Sequence, residues 1–517
     1  MNDNLYARIA RGFPADPDSR PFATLPDGRR YSYGDVERVS ARFANALTEL
    51  GAKPGDRVAV QVEKSIEAMM LYLGAVRAGL IFLPLNTAYT PAEIGYFLSD
   101  AEPAVFVCSP EKAEALRPVA DKAGARLETL GIYREPAEGE DLAEIAGSMA
   151  ALGLAASDNF ETHANAAADL AAILYTSGTT GRSKGAMLSH GNLASNSETL
   201  AEYWRFTSDD VLIHALPIFH THGLFVATNV TLFAGGSLIF MQRFDAAKVL
   251  AAMKEATALM GVPTFYTRLL DEKGLDREAT ARMRLFVSGS APLLAETHRE
   301  WTARTGHAIL ERYGMTETNM NTSNPYDGER RPGTVGFPLP GVEVRIVDPD
   351  SGEPVADGEI GVIEVRGPNV FAGYWRMPEK TKAEFRDDGF FISGDLAKRD
   401  GDGYIHIVGR GKDLIISGGF NVYPKEVESE IDAMPGVVES AVIGVPHRDF
   451  GEGVVAVVVG EKGNAPDPEQ IIAGLRERLA AYKCPKQVHV VDELPRNTMG
   501  KVQKNLLRDQ YGDAFSG

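Results

Sequence analysis

The sequence contains very little cysteine, with only Cys108 and Cys484 among its 517 residues. Two cysteines exclude a disulfide framework and a thiolate metal site, and they are typical of a reducing compartment. The sequence also lacks any run close to the roughly 18 apolar residues of a membrane span, and its N-terminal stretch lacks the apolar core of a signal peptide. We therefore expect a cytoplasmic protein that does not contact membranes.

Basic residues are outnumbered, because 53 Lys and Arg stand against 71 Asp and Glu and leave a formal charge of −18. This excess repels nucleic acid over most of the surface, so we predict no nucleic-acid partner, and a polyanionic ligand must meet local lysines and arginines. The 44% of hydrophobic and 24% of charged residues are typical of a globular protein. At roughly 100 to 200 residues per domain, the length predicts two to four units.

The order of apolar patterns predicts an α/β fold. From Arg57 onward, short apolar strands alternate with amphipathic helices. Further buried strands are predicted at LAAILYT, VLIHALP, SLIFM, ATALMGV and MRLFVSG, each before a loop or helix. This order favours parallel sheets flanked by helices. We predict a large N-terminal domain over 1–411, with a small β-rich subdomain over 335–411 where alternating strands and Gly/Pro turns appear, and a small α+β domain over 412–517.

A polar, glycine-rich loop, TSGTTGRSKG at 176–185, follows the strand LAAILYT. Glycines let backbone N–H groups approach an anion, hydroxyls donate hydrogen bonds, and a lysine supplies charge. The spacing differs from the Gly-x-x-x-x-Gly-Lys-Ser/Thr of a P-loop, which argues against a P-loop motor. The candidate phosphate ligands are Thr176, Ser177, Gly178, Thr179, Thr180, Gly181 and Lys184.

The loop YTSGTTGRSKG resembles the phosphate-loop signature of the adenylate-forming superfamily, which includes the acyl-CoA synthetases. Four further segments resemble the other core motifs of that superfamily, in the expected order: ERYGMTE (311–317), SGDLA (393–397), GRGKDLIISGGFNVYP (409–424) and PRNTMGKVQK (495–504). The resemblance implies a mobile C-terminal domain and an enzyme that uses ATP, CoA and Mg²⁺. Such an enzyme joins a carboxylate to the α-phosphate of ATP, releases pyrophosphate, and then forms a thioester with CoA.

The resemblance also implies roles at the reacting phosphate. Lys501 is similar to the mobile lysine that bridges the carboxylate and the α-phosphate, where anion must approach anion and charge neutralisation matters most. Thr316 and Glu317 are similar to the pair that contacts the α-phosphate and holds Mg²⁺, a hard cation suited to oxygen ligands.

For the nucleoside, the resemblance implies that Tyr313 stacks on adenine and that Asp395 and Arg410 hold the ribose hydroxyls, with Glu311 also counted among the ATP-binding residues. Lys412 is similar to the hinge about which the C-terminal domain rotates. Gly418 and Gly419 are implied to line the pantetheine channel, where absent side chains leave room for a narrow ligand.

For the acid, the resemblance narrows to the malonyl-CoA synthetases, through IFHTHGLFVATNVTLF, GVPTFYTRLL, FVSGSAPL and ERYGMTETNMNTSNPYDGERRPGTVG. It implies that Arg268 receives the distal carboxylate, Ser288 helps to shape the pocket, and His220 gates the CoA tunnel, while His222 fits either the pocket or a hydrogen-bonded core. A desolvated second carboxylate needs a cation, and arginine offers a bidentate fork. Met315 and Met320 are plausible lining residues. Since methylmalonate differs by one methyl, we expect activity on both acids.

Three alternatives stay open. The protein could be a synthetase for another short-chain or aromatic acid, a peptide-synthetase adenylation domain that serves a carrier in trans, or a non-catalytic regulator that binds nucleotide. The presence of Lys501, Glu317 and Asp395 argues against the last of these. A lysine acetyltransferase acting on Lys501 would remove the charge that the first step needs. We therefore predict acetylation of Lys501 as a means of regulating the enzyme.

Overall fold

The structure is a computed structural model that describes residues 2–132, 141–176, 183–417, 420–447, 450–464, 466–479, 481–497 and 500–515. Its strands are β1 Pro21–Thr24, β2 Arg30–Ser32, β3 Arg57–Gln61, β4 Ile81–Pro84, β5 Val105–Cys108, β6 Arg126–Thr129, β7 Leu170–Thr176, β8 Lys184–Ser189, β9 Val211–His214, β10 Ser237–Phe240, β11 Ala258–Gly261, β12 Leu285–Ser288, β13 Leu310–Met315, β14 Asn319–Ser323, β15 Phe337–Pro338, β16 Glu343–Val347, β17 Gly361–Arg366, β18 Phe391–Arg399, β19 Ile405–Arg410, β20 Ile415–Ser417, β21 Phe420–Val422, β22 Val437–His447, β23 Gly451–Gly460 and β24 Gln487–Val491.

The α-helices are α1 Leu5–Ile9, α2 Tyr33–Glu49, α3 Ile66–Arg77, α4 Pro91–Ala101, α5 Ala113–Ala123, α6 Leu142–Ala146, α7 Ser148–Ala155, α8 His190–Tyr203, α9 Asn229–Phe233, α10 Ala246–Ala252, α11 Pro263–Leu270, α12 Ala295–Thr305, α13 Pro378–Ala383, α14 Pro424–Asp432, α15 Pro468–Arg476 and α16 Lys504–Tyr511. A π-helix covers His222–Thr228, and short 3₁₀ turns cover Ala10–Gly12, Pro110–Lys112 and Gly411–Asp413.

Two large sheets form most of the N-terminal part. The nine-stranded sheet has the order β15-β14-β13-β12-β11-β9-β10-β1-β2, and the six-stranded sheet has the order β6-β5-β3-β4-β7-β8. Pairing is parallel from β13 to β1 and from β6 to β7, and antiparallel at the edges. The predicted parallel sheets flanked by helices are therefore confirmed, and all five predicted buried strands are present as β7 and β9 to β12.

The helix α3 lies between the two large sheets. It is apolar on nearly all sides and almost completely buried, as expected for a helix in the centre of a large protein. The ring of Tyr72 in this helix lies 5.2 Å from Phe82 of β4 and 5.8 Å from Phe225 of the π-helix. Both sheets thus share one core, and this core fixes the strand ends around the site.

Helix starts follow the capping residues in the sequence. Ser189 and Asn192 form a reciprocal capping box at the start of α8, in which each side chain accepts the other's backbone N–H at 2.9–3.0 Å. The helix therefore begins directly after β8, the strand that leaves the glycine-rich loop. This start anchors the C-terminal end of the loop.

Two smaller β-rich units complete the chain. Strands β16 to β19 form an antiparallel sheet, and the last sheet has the order β21-β20-β23-β22 with β24 parallel to β23. The last sheet has separate apolar clusters, one around α14 and α15 and one around α16. These units confirm the predicted fold class, while the division at Lys412, within the turn Gly411–Asp413, stays a prediction. Over the described residues, no helix has both the length and the apolar character needed to span a membrane.

Candidate active site

The nucleoside-binding candidates come together where β13, β18 and β19 approach one another. The phenol of Tyr313 donates a hydrogen bond to Asp395 Oδ2 at 2.6 Å, and Arg410 Nε lies 3.1 Å from Asp395 Oδ1. Asp395 and Arg410 are direct cross-strand partners, so the sheet register sets their pairing. Burial, and next the carboxylate of Asp395, raise the pKa of Tyr313 well above its ordinary value. The structure thus joins three predicted residues into one polar cluster.

The phosphate end of the cleft is formed where β7 ends and where the turn after β13 begins. Thr176 Oγ1 lies 3.4 Å from Glu317 Oε1, and the phenol of Tyr374 lies 3.1 Å from the same oxygen. Glu317 is buried, and this burial raises the pKa of its carboxyl. Thr316, beside it, is partly exposed, and its hydroxyl has no hydrogen-bond partner among the described residues. The predicted residues Ser177, Gly178, Thr179, Thr180 and Gly181 lie outside the described residues.

Lys184 is held by an acidic partner. Its Nζ lies 3.2 Å from Glu384 Oε1 and 4.1 Å from the centre of the Tyr374 ring. Tyr374 also donates to Glu384 Oε2 at 2.6 Å, so one phenol links the partner of Lys184 with Glu317. The lysine predicted to bind phosphate is therefore paired with a carboxylate in this structure.

Lys501 reaches the same cleft from the C-terminal part of the chain. Burial, and next the positive charge of Arg410, lower the pKa of Lys501 to about 8, while Asp395 acts in the opposite sense. The pKa of His220 falls to about 4 because of burial and because Arg312 and Lys501 are both close to it. The structure thus brings Lys501 close to both His220 and the nucleoside cluster.

Arg312 is a buried cation that has no counter-charge among the described residues. It occupies β13 between Glu311 and Tyr313, so strand alternation directs its side chain to the opposite face of the sheet. It is 4% exposed, and its Nε and Nη2 are buried without a hydrogen-bond partner among the described residues. Burial lowers its pKa to about 9, so the guanidinium stays charged at neutral pH.

Three further buried polar atoms of this region also lack a hydrogen-bond partner in the described part of the chain. Thr221 Oγ1, His222 Nε2 and Ser288 Oγ have no hydrogen-bond partner within the described ranges. An unsatisfied buried polar group costs about 1–3 kcal/mol, so such a set indicates a place for a polar ligand. Ser288 is the register partner of Glu311, so its side chain lies on the face of the sheet opposite to Arg312. Arg312 is close enough to His222 to lower the pKa of that imidazole. This pocket is the candidate acyl site.

The two histidines precede and begin the π-helix. The backbone N–H of His222 donates to His220 Nδ1 at 3.3 Å, which leaves the Nε2 of a neutral His220 as a donor. The Nδ1 of His222 lies 3.2 Å from Ser290 Oγ. Both histidines therefore take part in the pocket wall, with His222 buried and His220 partly exposed.

The AMP-binding enzyme family matches residues 11–375, and the AMP-binding enzyme C-terminal domain matches residues 426–501. The chain belongs to the AMP-binding enzymes. It is 62% identical to MatB from Rhodopseudomonas palustris, over 100% of both chains, with a TM-score of 0.95 to the ATP-bound crystal structure and 0.84 to the apo structure. It is 38% identical over 489 residues to a feruloyl-CoA synthase of Amycolatopsis sp, covering 94% of this chain and 95% of that protein. It is also 33% identical over 532 residues to a malonate–CoA ligase of Arabidopsis thaliana, covering 94% and 85%.

Several predicted residues of this AMP-binding enzyme lie away from the acyl pocket or have structural partners. Arg268 is exposed on α11 and forms no ion pair or hydrogen bond with a described residue. Glu311 is buried and accepts a hydrogen bond from the Gly333 N–H at 3.0 Å, with His298 Nδ1 also at 3.0 Å. Lys412 is exposed in its turn, and Gly418 and Gly419 lie outside the described residues.

The two methionines are placed differently. Met315, at the end of β13, has its sulfur 3.9 Å from the phenol of Tyr313, so it lies beside the nucleoside cluster. Met320 is buried in β14, the strand paired with β13. Their contribution to the acyl pocket stays a prediction.

Three residues of this AMP-binding enzyme were not singled out by the sequence motifs. Arg312 lies inside the motif ERYGMTE, yet only its position in a buried strand distinguishes it from a surface arginine. Tyr374 and Glu384 lie about 200 residues from Lys184 in the sequence, and no local pattern connects them. The sequence signal for Arg312 is its place between two motif residues, Glu311 and Tyr313, in a strand.

The oxygen ligands offered by Glu317 and Thr176 fit a magnesium ion that is also bound by the phosphates of a substrate. The described residues contain no cluster of three or more His, Cys, Asp or Glu side chains that could hold a metal. Mg²⁺ is commonly bound by one or two carboxylates together with substrate phosphates and water. The single buried carboxylate of Glu317 beside the hydroxyl of Thr176 matches that pattern.

Proposed function

We propose that this AMP-binding enzyme is an AMP-forming acid–CoA ligase that acts on malonate, and also on methylmalonate. The observation that carries the choice of acid is Arg312, a buried guanidinium without a partner among the described residues, in the acyl pocket. Similarity to a malonate–CoA ligase supports the same acid.

The charge of Arg312 favours a dicarboxylate over a monocarboxylate. A buried cation that lacks a partner is strongly unfavourable, and a bound carboxylate removes that cost through bidentate hydrogen bonds. A fatty or aromatic acid would leave the guanidinium unpaired. We therefore propose Arg312 as the receptor of the distal carboxylate, with Thr221 and His222 donating or accepting around it, while Ser288 stays a predicted pocket residue. Arg268 stays a predicted second candidate.

A short diacid also fits the spacing of charges. Arg312 and Lys501 both lower the pKa of His220, so both cations lie near this imidazole. We propose that one carboxylate of the acid pairs with Arg312 while the other faces Lys501. Malonate has a single carbon between its carboxylates, and the extra methyl of methylmalonate is worth only about 1–3 kcal/mol of discrimination in an apolar pocket.

In the first step, the carboxylate oxygen attacks the α-phosphorus of ATP and pyrophosphate leaves. Lys501 neutralises the two approaching anions, while Thr316 and the loop 176–185 with Lys184 hold the phosphates. Tyr313, Asp395 and Arg410 orient the nucleoside. Lys184 must exchange Glu384 for a phosphate, which makes its contribution smaller than that of Lys501. Bound next to Glu317, Mg²⁺ supplies positive charge to the phosphate oxygens.

In the second step, the sulfur of CoA attacks the acyl carbonyl and AMP leaves. We propose that the C-terminal domain rotates about Lys412, which withdraws Lys501 and brings Gly418 and Gly419 to the channel. A neutral His220, whose Nε2–H can donate a hydrogen bond, lies at the entry to the acyl pocket and gates the CoA tunnel. We place the reaction in the cytoplasm, where both co-substrates occur. Acetylation of Lys501 remains a proposal, and it would stop only the first step.

Pyrophosphate–ATP exchange with a panel of acids tests this function. Malonate and methylmalonate should support exchange, whereas butyrate, benzoate and ferulate should support little, because they leave Arg312 unpaired. Exchange with ferulate or butyrate but not with malonate would overturn the proposal that malonate is the substrate. It would favour a synthetase for another short-chain or aromatic acid. Absence of exchange with every acid would favour a non-catalytic nucleotide-binding protein.

A further inference from the structure

Hydrogen bonds join Asn497, Gly500 and Lys501 to one another. The Asn497 N–H donates to the Lys501 carbonyl at 2.9 Å, the Gly500 N–H donates to the Asn497 carbonyl at 2.9 Å, and the Lys501 N–H donates to Asn497 Oδ1 at 3.0 Å. Gly500 has a φ of +74°, a conformation that glycine adopts without strain. These bonds shape the turn locally, but none of them fixes it to the rest of the domain.

Arg496 supplies that connection. One end of its guanidinium donates to the carbonyl oxygen of Gly500, the residue directly before Lys501. The other end forms an ion pair with Glu439, which belongs to β22 in the body of the C-terminal sheet. The planar fork of an arginine can satisfy two acceptors in fixed directions, which a lysine cannot do. The carbonyl of Gly500 is thus connected to β22 through the side chain of Arg496.

The turn also packs against the N-terminal part of the chain. A Cβ placed on Gly500 would lie 3.2 Å from the side chain of Thr264, at the start of α11. The backbone before Lys501 therefore sits between α11 on one side and the guanidinium of Arg496 on the other. A shift of this backbone would move the long, flexible lysine side chain with it.

We propose that Arg496, braced by Glu439, is a positioning residue that holds Lys501 in place for the adenylation step. This inference rests on the proposed function, in which Lys501 bridges the acid and the α-phosphate. Arg496 acts through the carbonyl of Gly500 and does not itself contact the substrates. Because a displacement of about 1 Å can cost about 100-fold in rate, loss of the brace should slow adenylation strongly.

The test separates the two half-reactions in the full-length enzyme. Arg496→Ala should lower malonate-dependent pyrophosphate exchange about 10- to 100-fold. The second half-reaction, measured as AMP-dependent release of CoA from malonyl-CoA, should stay within about twofold, because Lys501 takes no part in it. Arg496→Lys keeps a charge for Glu439 but loses the fork, so it should recover only part of the exchange rate.

Arg478→Ala is the matched control. Arg478 forms an ion pair with Glu430 at 3.5 Å in the same domain, both side chains are exposed, and neither touches the turn. This variant should behave like the wild type in both half-reactions, since exposed pairs contribute little. Melting temperatures of all variants show whether they fold.

The outcomes distinguish the positioning role of Arg496 from the adenylation role of Lys501 on which it rests. Normal exchange by Arg496→Ala, while Lys501→Ala has none, would overturn the positioning role alone. An equal loss in both half-reactions, with or without a lower melting temperature, would also overturn it and indicate a general structural role. Retention of exchange by Lys501→Ala would instead overturn the assigned role of Lys501 and with it the proposed first step.

Discussion

The guanidinium of Arg312 packs directly against the backbone of Gly289. A Cβ placed on Gly289 would lie 2.3 Å from Arg312 Cζ and 2.5 Å from its Nε, a separation that no real contact allows. Gly289 follows β12, and Arg312 belongs to the neighbouring strand β13. The absence of a side chain at position 289 is therefore what makes room for the buried cation.

Gly289→Ala should consequently displace Arg312 and lower the use of malonate. Under the proposed function, we expect kcat/KM for malonate to fall by about 10- to 100-fold, since an interaction worth roughly 1.4–2.8 kcal/mol is lost. The slow exchange with butyrate should change little, because that acid does not need the cation. Gly95→Ala is the control, since its new Cβ would meet only Val119 at an ordinary 3.5 Å. An equal loss of activity with malonate and with butyrate would contradict a role of Arg312 that is specific to malonate.

Arg312→Met and Arg268→Met together decide which arginine receives the distal carboxylate. Truncating one partner of a buried charge pair costs about 2–5 kcal/mol, so Arg312→Met should lower kcat/KM for malonate by more than about 30-fold. Arg268 is exposed, and its replacement should have an effect of less than about threefold. Initial-rate kinetics with malonate and butyrate measure both. A larger loss of kcat/KM for malonate in Arg268→Met than in Arg312→Met would assign the distal carboxylate to Arg268.

The pH dependence of adenylation should show a basic limb that belongs to Lys501. The charged form of this lysine is the active one, and burial together with the charge of Arg410 lowers its pKa to about 8. The kcat/KM for exchange should therefore be level below this pKa and fall as the pH rises through about 8, since kcat/KM reports the free enzyme. Lys501→Arg keeps its charge at high pH, so its residual activity should lack the limb. An unchanged limb in this variant would assign it to another group.

The sequence predicted most of the fold because its signals are local. Alternation of apolar residues depends on positions a few residues apart, and the five buried strands predicted from it are present as β7 and β9 to β12. The motif residues Tyr313, Asp395 and Arg410 were likewise expected to meet, and they do.

The acyl pocket was less predictable, because its decisive contacts join distant parts of the chain. The residues next to Arg312 in the sequence do not indicate that its guanidinium has no acidic partner among the described residues, and this absence is what supports its proposed role as a receptor. Lys184 and Glu384 form an ion pair that only the folded chain brings together. By contrast, Arg268 looked suitable by residue type, yet its helix directs it to the surface.

A final prediction concerns Lys64, which joins the two large sheets from inside the core. Its Nζ donates to the carbonyl oxygens of His214 and Met241 at 2.8 and 2.7 Å and lies 2.9 Å from His214 Nδ1. Lys64→Met would leave two buried acceptors unpaired, His214 Nδ1 and the Met241 carbonyl, since the His214 carbonyl still accepts the Met241 N–H. Each unpaired acceptor costs about 1–3 kcal/mol, and this cost outweighs the gain from no longer burying an amine. The melting temperature should fall by several degrees, whereas Lys254→Met, at an exposed position, should not change it. Calorimetry measures both, and equal melting temperatures would show that a neutral side chain fills the site as well as the amine does.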